Sequence, residues 1–280
     1  MNALPEHEFQ FIAREVRARS GLVLTSDKSY LLETRLAPIA RKEGFTSVLE
    51  LISAVRVRRD DRLLWVIADA LTTNETFFFR DKAPFDQFRD FAVPELLKAR
   101  PAGAKLRIWC AACSTGQEPY SLAMIVQELR AAGKIGDVEI VATDISERIM
   151  EKARAGLYSQ FEVQRGLPVQ MLVRHFEKAG DLWRLNERTR SMVRYQRHNL
   201  LEDPRTLGRF DVVFCRNVLI YFEGDAKRRT LEMIAGSMAE DGVLFLGAAE
   251  TTLGITDAFA TNPERRGLYR RNSAWRRAAA

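Results

Sequence analysis

The sequence predicts an α/β chain in which a small all-α region precedes a doubly wound parallel sheet. Two observations carry this. Up to Leu71, apolar residues recur at helical spacing, and after Lys105 short apolar runs alternate with helical stretches. Phe9, Ile12 and Val16 share one helix face, as do Leu31, Leu32, Leu36 and Ile39, and then Val48, Leu51, Ile52 and Val55. Gly21 and Gly44 mark helix ends, and further helices are expected over Asp61–Leu71 and Phe85–Lys98. Pro101-Ala-Gly breaks the helical pattern.

LRIWCAA, VEIVATD, FDVVFCR and GVLFLGA are short, apolar and bounded by turn residues, as strands buried on both faces are. Glu118–Ala132, Ser146–Ala155 and Gly224–Met238 have helical periodicity and serve as crossovers between them. The stretch 158–198 interrupts this rhythm. LWRLNE and SMVRYQRH within it read as short antiparallel strands, so it is expected to be a small inserted subdomain. The end of the chain, SAWRRAAA, is expected to fray.

The chain has 280 residues, 46% apolar and 29% charged, which is ordinary globular composition. No apolar run approaches the roughly 18 residues of a membrane span, and MNALPEHEFQ lacks the basic-then-apolar order of a secretory signal. Cys110, Cys113 and Cys215 lie in apolar runs, which points to buried thiols in a reducing, cytoplasmic setting. His7, His175 and His198 do not cluster, so no metal is expected. The net charge is +6, but residues 1–60 are nearly balanced, with ten basic and eight acidic residues. The excess lies in residues 158–200 and in the tail after Glu264, where it favours either an acidic partner or simple solvation.

In an open parallel sheet, ligands bind beyond the carboxyl ends of the strands. The first such end gives AACSTGQEPYSLA, whose small residues allow a ligand close to a helix N-terminus. With a single glycine it is not a G-x-G-x-x-G fingerprint. Glu118 in the first helical turn would repel a pyrophosphate but could pair with an amino group; equally, it could only complement the helix dipole, an effect of about 0.3–1 kcal/mol. Asp144 ends the second strand and could take two ribose hydroxyls or merely serve the next helix, whose N-cap is Ser146. Asn199 with Leu200, and Arg216 with Asn217, stand at two further strand ends. Tyr221 follows closely, either as a pocket residue or as a packing aromatic.

TTNETFFFR (72–80), IWCAACSTGQEPYSLA (108–123), ATDIS (142–146), FCRNVLIYF (214–222) and LFLGAAET (244–251) resemble the chemotaxis receptor glutamate O-methyltransferases, the CheR family, in order and over more than half the chain. The resemblance implies a helical, receptor-contacting domain over 1–71 and a linker and helix closing over the cofactor over 72–104. A Rossmann-like class I S-adenosylmethionine-dependent methyltransferase domain follows over 105–275, with an inserted small antiparallel β subdomain at 158–198. It further implies that Asn74, Thr76, Arg80, Glu118, Asp144, Asn199, Leu200, Arg216 and Asn217 contact S-adenosyl-L-methionine. Arg80 and Tyr221 become candidate catalytic groups near the transferred methyl, and S-adenosyl-L-homocysteine is the product.

The chemistry agrees with this. A glutamate carboxylate, with a pKa of about 4.3, is already a nucleophile at neutral pH, so no general base is required. The sulfonium supplies the electrophile, and the protein must align oxygen, methyl and sulfur. The implied partner is the cytoplasmic helical bundle of methyl-accepting chemotaxis receptors, with Arg14, Arg17, Arg35, Arg41, Arg56, Arg58 and Arg59 as candidate contacts to its acidic region. The enzyme is expected to be a cytoplasmic monomer recruited to receptor arrays, without nucleic acid or membrane insertion. HFEKAGDLWRLNE is short, with Gly180 as its one glycine, so recognition is expected not to depend on a receptor pentapeptide tether. The rival readings are a non-catalytic S-adenosylmethionine-binding module and a nucleic-acid methyltransferase.

Overall fold

A computed structural model describes residues 4–101 and 103–275. Ala102 of the Pro-Ala-Gly break and the last five residues of the tail expected to fray lie outside them. The chain forms two compact units. One holds the residues up to Thr73 together with Tyr221–Ala226, and the other holds Asn74–Ile220 with the remainder from Lys227.

The first unit is built from helices α1 (Glu6–Ser20), α2 (Ser29–Lys42), α3 (Val48–Arg58) and α4 (Asp61–Leu71). The side chains of Ser47 and Asp60 accept the Glu50 and Leu63 amides and so cap α3 and α4. Ile12, Leu36, Leu51, Ile52, Val55 and Ile67 are fully buried in its core, each at a position that helical spacing places inward. Tyr221 packs on this core, and its carbonyl accepts the Val23 amide at 3.0 Å.

The second unit opens with α5 (Ala83–Gln87) and α6 (Val93–Lys98), joined by a π turn over Phe88–Ala92. Pro94 lacks the N–H that would continue an ordinary helix, and the turn before it widens so that the Val93 amide reaches the Phe88 carbonyl. Then follow β1 (Leu106–Ala111), α7 (Gln117–Ala131), β2 (Val138–Asp144) and α8 (Glu147–Ala155). The insertion contributes β3 (Leu157–Ser159), α9 (Gln160–Gln164), α10 (Val169–His175), β4 (Phe176–Ala179), β5 (Leu182–Leu185) and α11 (Glu187–Arg190). The chain ends with β6 (Val193–Arg197), β7 (Phe210–Cys215), α12 (Gly224–Gly236), β8 (Met238–Leu246), β9 (Phe259–Thr261) and β10 (Leu268–Arg271).

Seven strands form the main sheet in the order β6-β2-β1-β7-β8-β10-β9, parallel from β6 to β8, with β10 and β9 antiparallel at one edge. The chain runs outward from β1 to β2 and β6, then returns to place β7 on the other side of β1. The strand order therefore reverses between β1 and β7, which is where such a sheet opens a crevice for a ligand. Phe85, Phe88, Phe214 and Phe245 pack their rings on one face of this junction, all essentially without exposure.

One strand assignment is corrected. SMVRYQRH does not belong to the small antiparallel sheet: its core, β6, pairs in parallel with β2 at the edge of the main sheet. The small sheet is β3-β5-β4, and of the two segments read as its strands only LWRL belongs to it.

His175 ties the insertion to the main body. It is 1% exposed and its Nδ1 lies 3.0 Å from Thr189 Oγ1, which also accepts Gln127 Nε2 of α7 at 2.7 Å. Burial, assisted by Arg174 and Arg188, pushes the imidazole pKa down to about 4. The folded chain holds this histidine neutral while the unfolded chain protonates it near pH 6.5, so stability is lost as pH falls from about 6.5 toward 4. Thermal melts should show the native chain losing about 1–2 kcal/mol from this group by pH 5. His175→Gln should flatten the acid limb of the melting profile; identical limbs in the two proteins would refute the assignment.

Candidate active site

The loop from β1 to α7 is shaped by backbone that few residues adopt: φ is 61° at Ala112, 50° at Ser114 and 93° at Gly116. Gly116 is required twice over, because a Cβ there would lie 2.7 Å from Tyr195 Oη and 3.0 Å from Ala153 Cβ. The loop is pinned by Asp144 at the end of β2, whose two oxygens accept the Ser114 amide at 2.9 Å and the Ser146 amide at 3.1 Å. Ser114 Oγ in turn donates to the Asn74 carbonyl at 2.9 Å. Asn74, Ser114 and Asp144 thus form one connected edge of the crevice. Asp144 also serves the helix as the plainer reading had it, by fixing Ser146, which caps α8.

A second edge is built around Arg216. Its side chain is 1% exposed, and its two terminal nitrogens reach Glu118 Oε2 at 2.9 Å, Asp81 Oδ2 at 2.8 Å and the Arg80 carbonyl at 2.8 Å. The guanidinium also lies over the Phe85 ring, 5.5 Å from its centroid. Burial pushes the Glu118 carboxyl up, and Arg216 pulls against that shift. Glu118 therefore does more than complement a helix dipole: it is one arm of a buried ion network. Arg216 spends its guanidinium on protein groups, and its bearing on the crevice runs through Glu118 and through the backbone it ends.

Sequence reasoning assigned no residue to the loop that follows β8, where Glu250 stands. Glu250 is 9% exposed and accepts five backbone amides: Val218, Leu219 and Ile220 on Oε1 at 2.7–3.3 Å, and Asn217 and Gly247 on Oε2 at 2.7–2.8 Å. Asn217, with φ of 59°, is held in the left-handed region by this cage. The missed signal was an acidic residue just past GVLFLGA, the one predicted strand end for which no contact was proposed. Asp81 and Ser114 were missed as well, Ser114 inside the recognised run 108–123 and Asp81 one residue past the run 72–80.

Arg80 donates to the Glu75 carbonyl at 2.7 Å and lies 5.6 Å from the Phe77 ring centroid. Thr76 is half-buried in the same segment. Asn199 and Leu200 come just after β6, and Leu200 gives its carbonyl to Thr230 Oγ1 at 3.2 Å. Tyr221 belongs to the helical unit, whereas Arg80 belongs to the sheet unit. Burial pushes the thiols of Cys110, Cys113 and Cys215 up, which keeps them as packing groups.

Glu118 and Asp144 offer acceptors at the mouths of β1 and β2, where a pyrophosphate would need donors. Those acceptors fit S-adenosyl-L-methionine, which carries an ammonium, a sulfonium and ribose hydroxyls but no phosphate.

Two family models match the chain. "CheR methyltransferase, all-alpha domain" covers residues 7–72, and "CheR methyltransferase, SAM binding domain" covers residues 74–268. The chain is 41% identical to chemotaxis protein methyltransferase 1 of Pseudomonas aeruginosa over 257 residues, 90% of this chain and 93% of that one. It is 39% identical to a chemotaxis protein methyltransferase of Vibrio anguillarum over 260 residues, 91% of this chain and 93% of that one. It is 38% identical to chemotaxis protein methyltransferase Cher2 of Pseudomonas putida over 244 residues, 85% of this chain and 88% of that one. The chain belongs to the CheR methyltransferase family and carries both its all-alpha domain and its S-adenosylmethionine-binding domain.

Proposed function

We propose that this methyltransferase esterifies glutamate side chains of chemotaxis receptors, giving glutamyl methyl esters and S-adenosyl-L-homocysteine. The observation that carries the reading is the acceptor-lined crevice at the strand reversal, within a chain that one methyltransferase family matches over residues 7–72 and 74–268. S-adenosyl-L-methionine supplies an electrophilic methyl on its sulfonium. Glu118 takes its ammonium and Asp144 its ribose hydroxyls, with Asn74, Thr76, Asn199, Leu200 and Asn217 around the rest. Arg80 commits one of its five N–H donors to Glu75, and those remaining can orient an incoming carboxylate. No residue need act as a base, since the nucleophile is ionised already.

The enzyme works as a cytoplasmic monomer at receptor arrays, and its helical unit meets the receptor bundle. Side-chain partners sort the seven candidate arginines. Arg35 is spent on the Leu71 and Thr72 carbonyls, Arg17 on Glu223, and Arg56 on buried Glu8. The side chains of Arg41, Arg58 and Arg59 have no ion-pair partner among the described residues. Arg14 and Arg59, with Arg19, Arg56 and one acidic residue, Glu15, which pairs with Arg19, line a groove of about 690 Å³ whose basic excess suits an acidic helix. Within the insertion, Arg165, Arg174, Arg190 and Arg194 pair with Glu75, Glu128, Glu187 and Glu139, so its basic excess is largely neutralised inside the chain, which disfavours a nucleic-acid substrate. β4 and β5 are joined by the two-residue turn Gly180-Asp181, too short for an extended peptide-gripping loop, in keeping with recognition that needs no tether.

Three outcomes follow. Labelled methyl should pass to receptor-containing membranes and be released by base as methanol, and Arg80→Ala and Asp144→Ala should each cut transfer at least about tenfold; full activity in both would overturn the site. Calorimetry should find no binding of a receptor C-terminal pentapeptide, and binding abolished by trimming Lys178–Asp181 would show a tether. Arg59 closes α3 at φ 50°, where glycine is the favoured residue. Arg59→Gly should therefore raise stability by about 1 kcal/mol while raising the KM for receptor; a stabilised protein with unchanged KM would remove Arg59 from the docking surface.

A further inference from the structure

The segment that carries Arg80 is fastened at both ends to the crevice, by Ser114 at Asn74 and by Arg216 at Arg80-Asp81. Its middle is held by Ser121 Oγ, which accepts the Phe79 amide at 3.0 Å. The other face of this middle rests on the insertion. Arg165 Nη2 bonds Glu75 Oε1 at 2.7 Å, and the Arg165 guanidinium lies 4.4 Å from the centroid of Phe77, the ring that Arg80 also approaches. Gly166, with φ of 82°, lets the Phe78 carbonyl come so close that a Cβ there would lie 2.1 Å from it. Phe78 is fully buried between Tyr158 and Phe176, with ring centroids at 5.1 and 5.6 Å. Tyr158 Oη also donates to the Thr115 carbonyl in the β1–α7 loop.

These contacts have an unusual distribution. Phe79, Asp81 and Lys82 all have positive φ, so the segment sits in a conformation its own residues disfavour and needs outside support to persist. Arg165 and Glu75 are both well exposed, at 41% and 56%, so their ion pair adds little to global stability. Its evident effect is local: it fixes Glu75, whose carbonyl holds the Arg80 guanidinium. We propose that Arg165 and Gly166 make the insertion a scaffold for catalysis in this chain, with Arg165 a positioning residue that sets Arg80 for methyl transfer. The inference gives the subdomain a task that requires no receptor tether, and it rests on the receptor-methylating reading only for its kinetic test.

The test uses the full chain with receptor-containing membranes and compares Arg165→Ala, Glu75→Gln, the double variant and Arg165→Lys. The expected result is a fall in kcat of about tenfold in each of the first two, with Tm and the KM for receptor unchanged. The double variant should be no worse than either single one, because both remove the same link, and Arg165→Lys should recover part of the loss. Amide hydrogen exchange over 74–82, measured with S-adenosyl-L-homocysteine present, should accelerate in Arg165→Ala. A kcat within about twofold of the native value overturns the proposal, as does a loss matched by a fall in Tm, which would mark a merely structural contact. A higher receptor KM in Arg165→Ala that Glu75→Gln does not share also overturns it, because Arg165 would then touch the receptor itself. If the native chain transfers no methyl to these membranes, the substrate reading fails, and the exchange measurement decides the scaffold claim alone: unchanged protection over 74–82 refutes it.

Discussion

The guanidinium of Arg216 is the constraint on which the candidate active site depends. It is 1% exposed, directly follows the buried strand β7, and joins that strand end to two segments far away in sequence: Glu118 on α7, and the linker through Asp81 and the carbonyl of Arg80. Removing this buried cation leaves the Glu118 carboxylate desolvated and unpaired, a loss on the order of 3–5 kcal/mol, whereas the exposed Asp81 can turn to water. The fold accepts the burial of Arg216 and Glu118 here because the guanidinium closes hydrogen bonds on Glu118, on the more exposed Asp81 and on the Arg80 carbonyl. What it gains is specificity of arrangement. The carboxylate assigned to the cofactor ammonium and the turn that carries Arg80 are held by one side chain.

Glu250 does for the backbone what Arg216 does for the side chains. Five amides converge on it and keep the 217–220 turn open at the end of β7, with Asn217 in a left-handed conformation. Among the described residues six further non-glycine positions have positive φ, and all but Arg59 lie in the linker or in the β1–α7 loop. Strain is concentrated where the ligand crevice opens, and a polar contact from a different element secures it at Phe79, Asp81, Ser114 and Asn217. Such a site suits a reaction whose nucleophile is already ionised and whose electrophile comes with the cofactor, because what remains for the protein is alignment.

Much of this was legible in the residues. α4 matches its expected bounds of Asp61–Leu71, and Ser146 caps α8 as its position suggested. The four apolar runs became β1, β2, β7 and β8, since strands buried on both faces leave a continuous apolar signature. β6 was misread for the opposite reason: an edge strand with Arg194, Gln196 and Arg197 in it alternates in burial and resembles a short hairpin strand. β3 and β4 are three and four residues long and carry too little pattern to be seen. Within the site, residue type and strand-end position picked out Glu118, Asp144 and Arg216. Their partners stayed hidden, because Arg216 meets Glu118 across 98 residues of sequence and Glu250 binds only backbone.

Titration of S-adenosyl-L-homocysteine into Arg216→Lys, alongside single-turnover methyl transfer by the same variant, tests the central claim most directly. A lysine ammonium is a point charge that cannot span Glu118, Asp81 and the Arg80 carbonyl in the fixed fork of a guanidinium. If Arg216 holds both the cofactor carboxylate and the Arg80 turn, affinity and transfer rate should fall together, each by at least about tenfold. Affinity retained within about twofold would contradict the account, because Glu118 would then be positioned without it.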